Sequence, residues 1–99
     1  MSFEVDFTAD LWESKSEAAW VFVSVPAGIA DEIDERIPSR GGFGSIRVGA
    51  TIGGTNWDTS IFPDKKLGTF VLPVKRQVRG AEGVTVGDEV SIRLRFEVD

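Results

Sequence analysis

Apolar and polar residues alternate along much of this chain. Phe3, Val5 and Phe7 alternate with Glu4, Asp6 and Thr8, a period of two that predicts a half-buried strand. A polar stretch follows around residues 13–17. The β-branched and aromatic run Trp20-Val21-Phe22-Val23-Ser24-Val25 predicts a second strand, ended by Pro26. Ile29, Ile33 and Ile37 then recur every four residues with Asp31, Glu32, Asp34 and Glu35 between them. This is a short amphipathic helix whose early acids would suit its dipole. Pro38-Ser39 and Gly41-Gly42 are expected to end it.

Ile46, Val48, Ala50 and Ile52 alternate with Arg47, Gly49 and Thr51, a third strand. Gly53-Gly54 separates it from a fourth over residues 56–62, which is the signature of a type I′ or II′ hairpin. Residues 63–68 form a turn, and Thr69-Phe70-Val71-Leu72 a fifth strand stopped by Pro73. Residues 74–79 make a helical turn with Val74 and Val78 on one side. Val90, Ile92, Leu94, Phe96 and Val98 mark a long last strand.

This order contains an echo. Phe22-Val23-Ser24-Val25-Pro26 precedes a helix, glycines and Ser45-Ile46-Arg47-Val48. Phe70-Val71-Leu72-Pro73 precedes a helix, glycines and Ser91-Ile92-Arg93-Leu94. Two such strand–helix–strand halves, residues 20–52 and 68–98, would be joined by a hairpin over residues 53–67. Each half has an apolar face that it cannot bury alone. The expectation is one mainly β domain over residues 1–99, a small closed six-stranded barrel with two short helices, since closure removes exposed sheet edges.

Composition narrows the chemistry. The 99 residues contain no cysteine, histidine or tyrosine. Disulfides, zinc-thiolate sites, imidazole bases and Ser-His-Asp triads are therefore excluded. No cofactor or metal is expected. Residues 1–6 resemble no secretory leader and no run approaches the ~20 apolar residues that cross a bilayer, so a cytoplasmic location without membrane contact is expected.

The net charge of −5 is unevenly spread. Residues 1–37 carry −7, residues 38–79 carry +5 and residues 80–99 carry −3. If the fold gathers the central cations, an acidic protein would present one face attractive to anions. The alternative is that the fold mixes them.

The densest chemistry lies in residues 54–79. Trp57, Thr59 and Ile61 share one face of the fourth strand, and Asn56, Asp58, Ser60 and Phe62 the other. The Lys65-Lys66 turn and Lys75-Arg76-x-x-Arg79 follow, with Lys75 and Arg79 on one helix face. Hydroxyls, lysines and an arginine are what holds phosphate or carboxylate, and the helix after Pro73 would add N–H groups. Trp57, Thr59, Ser60, Lys65, Lys75 and Arg79 are the candidate ligand-binding residues. A charged hairpin tip beside a solvated helix face is the plainer reading. Gly41-Gly42-Phe43-Gly44 precedes a strand and is a bend, not a nucleotide cradle. A Ser-Lys dyad could be built from Ser60 with Lys65 or Lys75, but nothing in the sequence locates them together. Of Trp12, Trp20 and Trp57, the last sits among polar neighbours and is the one expected to be exposed.

The blocks Trp20-x-Phe22-Val23-x-Val25-Pro26, Gly42-Phe43-Gly44-Ser45, Gly53-Gly54-x-x-Trp57-x-Thr59-Ser60-Ile61-Phe62-Pro63 and Leu72-Pro73-Val74-Lys75-x-x-Val78-Arg79 resemble an uncharacterised bacterial family of domains of unknown function. That family occurs alone or in front of a bacteriocin-protection (outer-membrane-porin-associated) domain. The resemblance implies a double-split β-barrel with swapped halves, an architecture shared with some transition-state regulators and antitoxin DNA-binding domains. It implies no catalytic role. The family's recurring positions are here Trp57, Thr59, Ser60, Pro63, Lys65, Lys75 and Arg79. Asp58 stands where a basic residue is common, and Phe70 where tyrosine is common.

Three functions compete. The first is a non-catalytic module that binds a small anionic ligand or a protein through residues 54–79. The second is a DNA-binding dimer by fold analogy, which an acidic total charge disfavours. The third is a hydrolase-like enzyme, for which the acid–base menu is short. A homodimer pairing the acidic N-terminal face with the basic central one fits any of them.

Overall fold

The computed structural model describes residues 1–15, 19–38 and 44–98. Strands β1 (Ser2–Asp10), β2 (Trp12–Glu13) and β3 (Val21–Ser24) lead into helix α1 (Ala27–Arg36). Strands β4 (Ile46–Ile52), β5 (Thr55–Asp64) and β6 (Thr69–Pro73), helix α2 (Arg76–Glu82) and strand β7 (Glu89–Glu97) follow. All strand pairings are antiparallel, in the order β1-β7-β4-β5-β6-β3-β2.

The sheet is seven-stranded and curls into an open half-barrel, so the expected closed barrel of six strands is corrected. The reason lies at Leu11. Its N–H donates to the Asp88 carbonyl at 2.9 Å and its carbonyl accepts from the Gly87 N–H at 2.8 Å. The backbone thus leaves the sheet ladder between β1, at one edge, and β2, at the other, while the Leu11 side chain is buried. The ladder registers locate the same interruption. From Asp10, opposite Glu89, to Trp12, opposite Phe22, the chain takes two steps, passing over Leu11. Along β5, the passage from one neighbour to the other, Ile61 opposite Ile46 to Phe62 opposite Val71, takes a single step.

The alternating residues form the core as their period requires. Val90, Ile92, Leu94 and Phe96 of β7 meet Val5 and Phe7 of β1 and Ile46, Val48, Ala50 and Ile52 of β4, all buried. Val21, Val23, Phe70, Leu72 and Ile61 continue the layer, and Ile33 of α1 and Val78 of α2 close its ends. Phe3 stacks on Phe96 at 4.8 Å between ring centroids and is capped by the Arg36 guanidinium at 4.8 Å. The acids of α1 begin beyond its first turn, so they do not complement the N-terminal dipole as expected. Arg36 instead pairs with Glu32 one turn back, at 3.4 Å. The glycines expected to end α1 at residues 41–42, and the bend they make with Phe43, lie outside the described residues.

The Gly53-Gly54 hairpin is present between Ile52 and its ladder partner Thr55. Gly53 has φ +57° and Gly54 has no positive φ, the sign pattern of a type II′ turn. Glu82, at the end of α2, reaches this tip, where its Oε2 accepts from the Thr55 hydroxyl at 2.5 Å.

Candidate functional site

Proline decides where the sheet opens. β5 pairs with β4 over Thr55 to Ile61, and with β6 only over Phe62 to Asp64. The β5–β6 ladder ends at the Phe62–Val71 pair, two residues before Pro73, which has no N–H to extend it. Past that point β6 turns into α2, and the Val74 N–H bonds instead to the Val21 carbonyl at 2.9 Å. A groove of about 370 Å³ occupies the resulting split. Its apolar wall is Trp20, Val21, Trp57, Pro73 and Val74, and its polar wall is Asp58, Thr59, Lys75, Arg76 and Arg79.

Four of the six candidate residues converge here: Trp57, Thr59, Lys75 and Arg79. Lys75 sits just before α2 and its carbonyl accepts from the Arg79 N–H at 3.2 Å, which stacks the two side chains on one face as their spacing predicts. Arg79 is half-buried, and its Nε donates to the Val74 carbonyl at 3.1 Å. That bond restrains the guanidinium beside the groove that Arg79 lines, and leaves its terminal nitrogens outside this contact. None of Lys75, Arg76 and Arg79 has an ion-pair partner among the described residues.

The other two do not join them. Ser60 lies on the outer face of β5 opposite Arg47, and the groove lined by Lys75 does not include it. Lys65 lines a separate hollow with Asp31, Asp34 and Asp64. A Ser60 dyad with either lysine is therefore not assembled. Of the cations of residues 38–79, Lys75, Arg76 and Arg79 line the groove and Lys65 a separate hollow, while Arg47, opposite Ser60, and Lys66 line neither; Arg40 lies outside the described residues. The exposed tryptophan is Trp20, 54% accessible, and not Trp57, whose ring packs against the core. Trp20 stacks over Phe22 at 6.2 Å, and Phe22 in turn meets Trp12 at 5.1 Å. Trp12 is held by its Nε1 donating to Ser24 Oγ at 3.0 Å.

A wider hollow on the outer face of β1, β7 and β4 is already self-neutralised. Arg93 donates to both carboxylate oxygens of Asp6, at 2.8 and 3.3 Å, and lies 3.8 Å from Glu4. The Arg93 hydrogen bond holds the Asp6 carboxyl below its ordinary value of 3.8, and the same pairing raises Arg93. Among the described residues no cluster of acids is arranged to hold a metal ion, and no helix is long and apolar enough to cross a membrane.

Fold and site together describe a small antiparallel β domain with one basic-rimmed, tryptophan-walled groove. The chain belongs to the family DUF1905, a domain of unknown function, whose model matches residues 7–94. No curated protein matches it.

Proposed function

We propose that this domain is a non-catalytic binding module, and that the groove between β5, α2 and Trp20 takes a small organic anion with an apolar body. The observation that carries the reading is Arg79, preoriented by the Val74 carbonyl at the mouth of a groove walled by two tryptophans. A guanidinium fixed in this way binds a carboxylate with two parallel hydrogen bonds and loses little side-chain freedom in doing so. Lys75 and Arg76 add charge, and Trp20 offers an exposed ring to an apolar body. Such a mixture of apolar wall and few converging polar groups is typical of small-ligand sites, and the volume lies at the lower end of their range.

Thermal unfolding tests this. An organic carboxylate at a hundredfold its Kd stabilises by about 2.7 kcal/mol, which shifts Tm by roughly 10 °C or more in a domain of this size. Lys75→Ala and Arg79→Ala should abolish the shift, and Lys65→Ala should keep it. If no carboxylate, phosphate or nucleotide moves Tm, the reading fails.

The architecture supports a further part of the reading, that the chain is two pseudo-repeated halves of double-split type. With Pro26 matched to Pro73, the counterpart of Ser24 is Val71, and these two residues face each other in the β3–β6 pairing. With Ser45 matched to Ser91, the counterpart of Gly49 is Arg95, and these face each other in the β4–β7 pairing. Residues that pair with their own counterparts mark a local two-fold axis, as an intramolecular duplication would produce.

A further inference from the structure

Side chains alternate across a strand, so a surface lined by one face of β5 would touch every second residue. The groove instead touches Trp57, Asp58 and Thr59 in succession. It therefore meets β5 along its edge and not on one face. The ladders agree. Residues 55–61 pair with β4 on one side, and on the other side they have no strand partner among the described residues. An open strand edge offers a row of N–H and C=O groups to any extended chain laid beside it.

The charges of the groove restrict what lies there. Lys75, Arg76 and Arg79 are opposed by Asp58 alone, an excess of two positive charges that favours an anionic group in the groove. The fixed fork of Arg79 matches a carboxylate. The apolar wall between Trp20 and Trp57 takes one large side chain beside it.

We infer that the groove captures the carboxy terminus of a peptide: the terminal carboxylate on Arg79, the last side chain against Trp20 and Trp57, and the preceding backbone added to the open edge of β5. Strand addition combined with terminal-carboxylate capture is a known recognition mode. The inference rests on the groove reading above and adds the class of ligand to it.

The test is a titration of the full chain followed by tryptophan fluorescence and by backbone amide NMR. The probes are N-acetyl-Ala-Ala-X peptides with X as Phe, Leu or Ile, their C-terminal carboxamides, their backbone N-methylated forms, and 3-phenylpropionate. At least one peptide acid should bind, with amide shifts in residues 55–61. Its carboxamide and its N-methylated form should each bind at least about tenfold more weakly. Arg79→Lys should narrow the gap between acid and carboxamide, because an ammonium lacks the fork. Equal binding of acid and carboxamide overturns the inference, and so does indifference to N-methylation. Binding of 3-phenylpropionate as tight as that of any peptide acid overturns it too, yet leaves the groove as an organic-anion site. If no probe perturbs the groove, both readings fall.

Discussion

Replacing Gly53 by alanine loads the hairpin tip in two separable ways. The first is conformational: Gly53 sits at φ +57°, where a Cβ costs about 1–2 kcal/mol. The second is a collision, because an ideal Cβ there would lie 1.9 Å from Glu82 Oε1. The carboxylate can swing aside, but only by giving up the hydrogen bond it accepts from Thr55. A partly buried bond to a charged group is worth about 1.5 kcal/mol or more. Gly53→Ala should therefore cost about 3 kcal/mol, which lowers Tm by at least about 10 °C in a domain of this size. In a Glu82→Ala background the collision is gone, and the same substitution should cost only the conformational part. A double-mutant cycle by urea unfolding reads the difference as a coupling of about 1.5 kcal/mol. Equal costs in the two backgrounds would show that Glu82 does not clasp the hairpin, and the argument would be wrong.

Other outcomes follow from the same geometry. Phe96→Ala, which empties a fully buried site stacked on Phe3, should cost about 3–5 kcal/mol in chemical denaturation, whereas Trp20→Ala should cost at most about 1 kcal/mol. Asp6 is held below its ordinary 3.8 by Arg93, so its contribution is complete above that value and is lost as pH falls through the lowered one. The stability gap between wild type and Asp6→Asn should therefore be flat near neutral pH and shrink on acidification below 3.8; a gap that widened would contradict the pairing. The pair is solvent-exposed, so raised salt should narrow the gap at neutral pH. Leu11→Ala should cost about 2–5 kcal/mol, because this one side chain anchors the point where the first strand leaves the ladder.

Period-two alternation exposed most of the fold in the sequence. Val5 and Phe7, Val48 and Ala50, and the run from Val90 to Phe96 all point inward as their spacing requires, and the two glycines place the hairpin. The open sheet was not legible, because it depends on the Leu11 backbone bonding to residues 87 and 88, and no side-chain pattern announces that. β2 escaped notice for a related reason: two residues beside a polar stretch carry too little periodicity.

The site divides in the same way. Trp57, Thr59, Lys75 and Arg79 come together through one hairpin and the helix behind it, short-range connections that spacing can follow. Ser60 lies beyond the stretch from Trp57 to Thr59 that the groove meets, and Lys65 lies farther along the hairpin beside Asp31, Asp34 and Asp64. Trp20 enters from far along the chain, brought by the β3–β6 pairing and the Val74–Val21 bond, so nothing local predicted that it would wall the groove.

Trp20 is also the natural reporter for the claim on which everything functional depends. The measurement is the fluorescence of wild type, Lys65→Ala and Arg79→Ala during titration with 3-phenylpropionate and the peptide acids, with unfolding curves to confirm that each variant is folded. The account predicts a saturable change in wild type and Lys65→Ala that is lost in folded Arg79→Ala. A change that survives the loss of Arg79, or no saturable change in wild type, would contradict it.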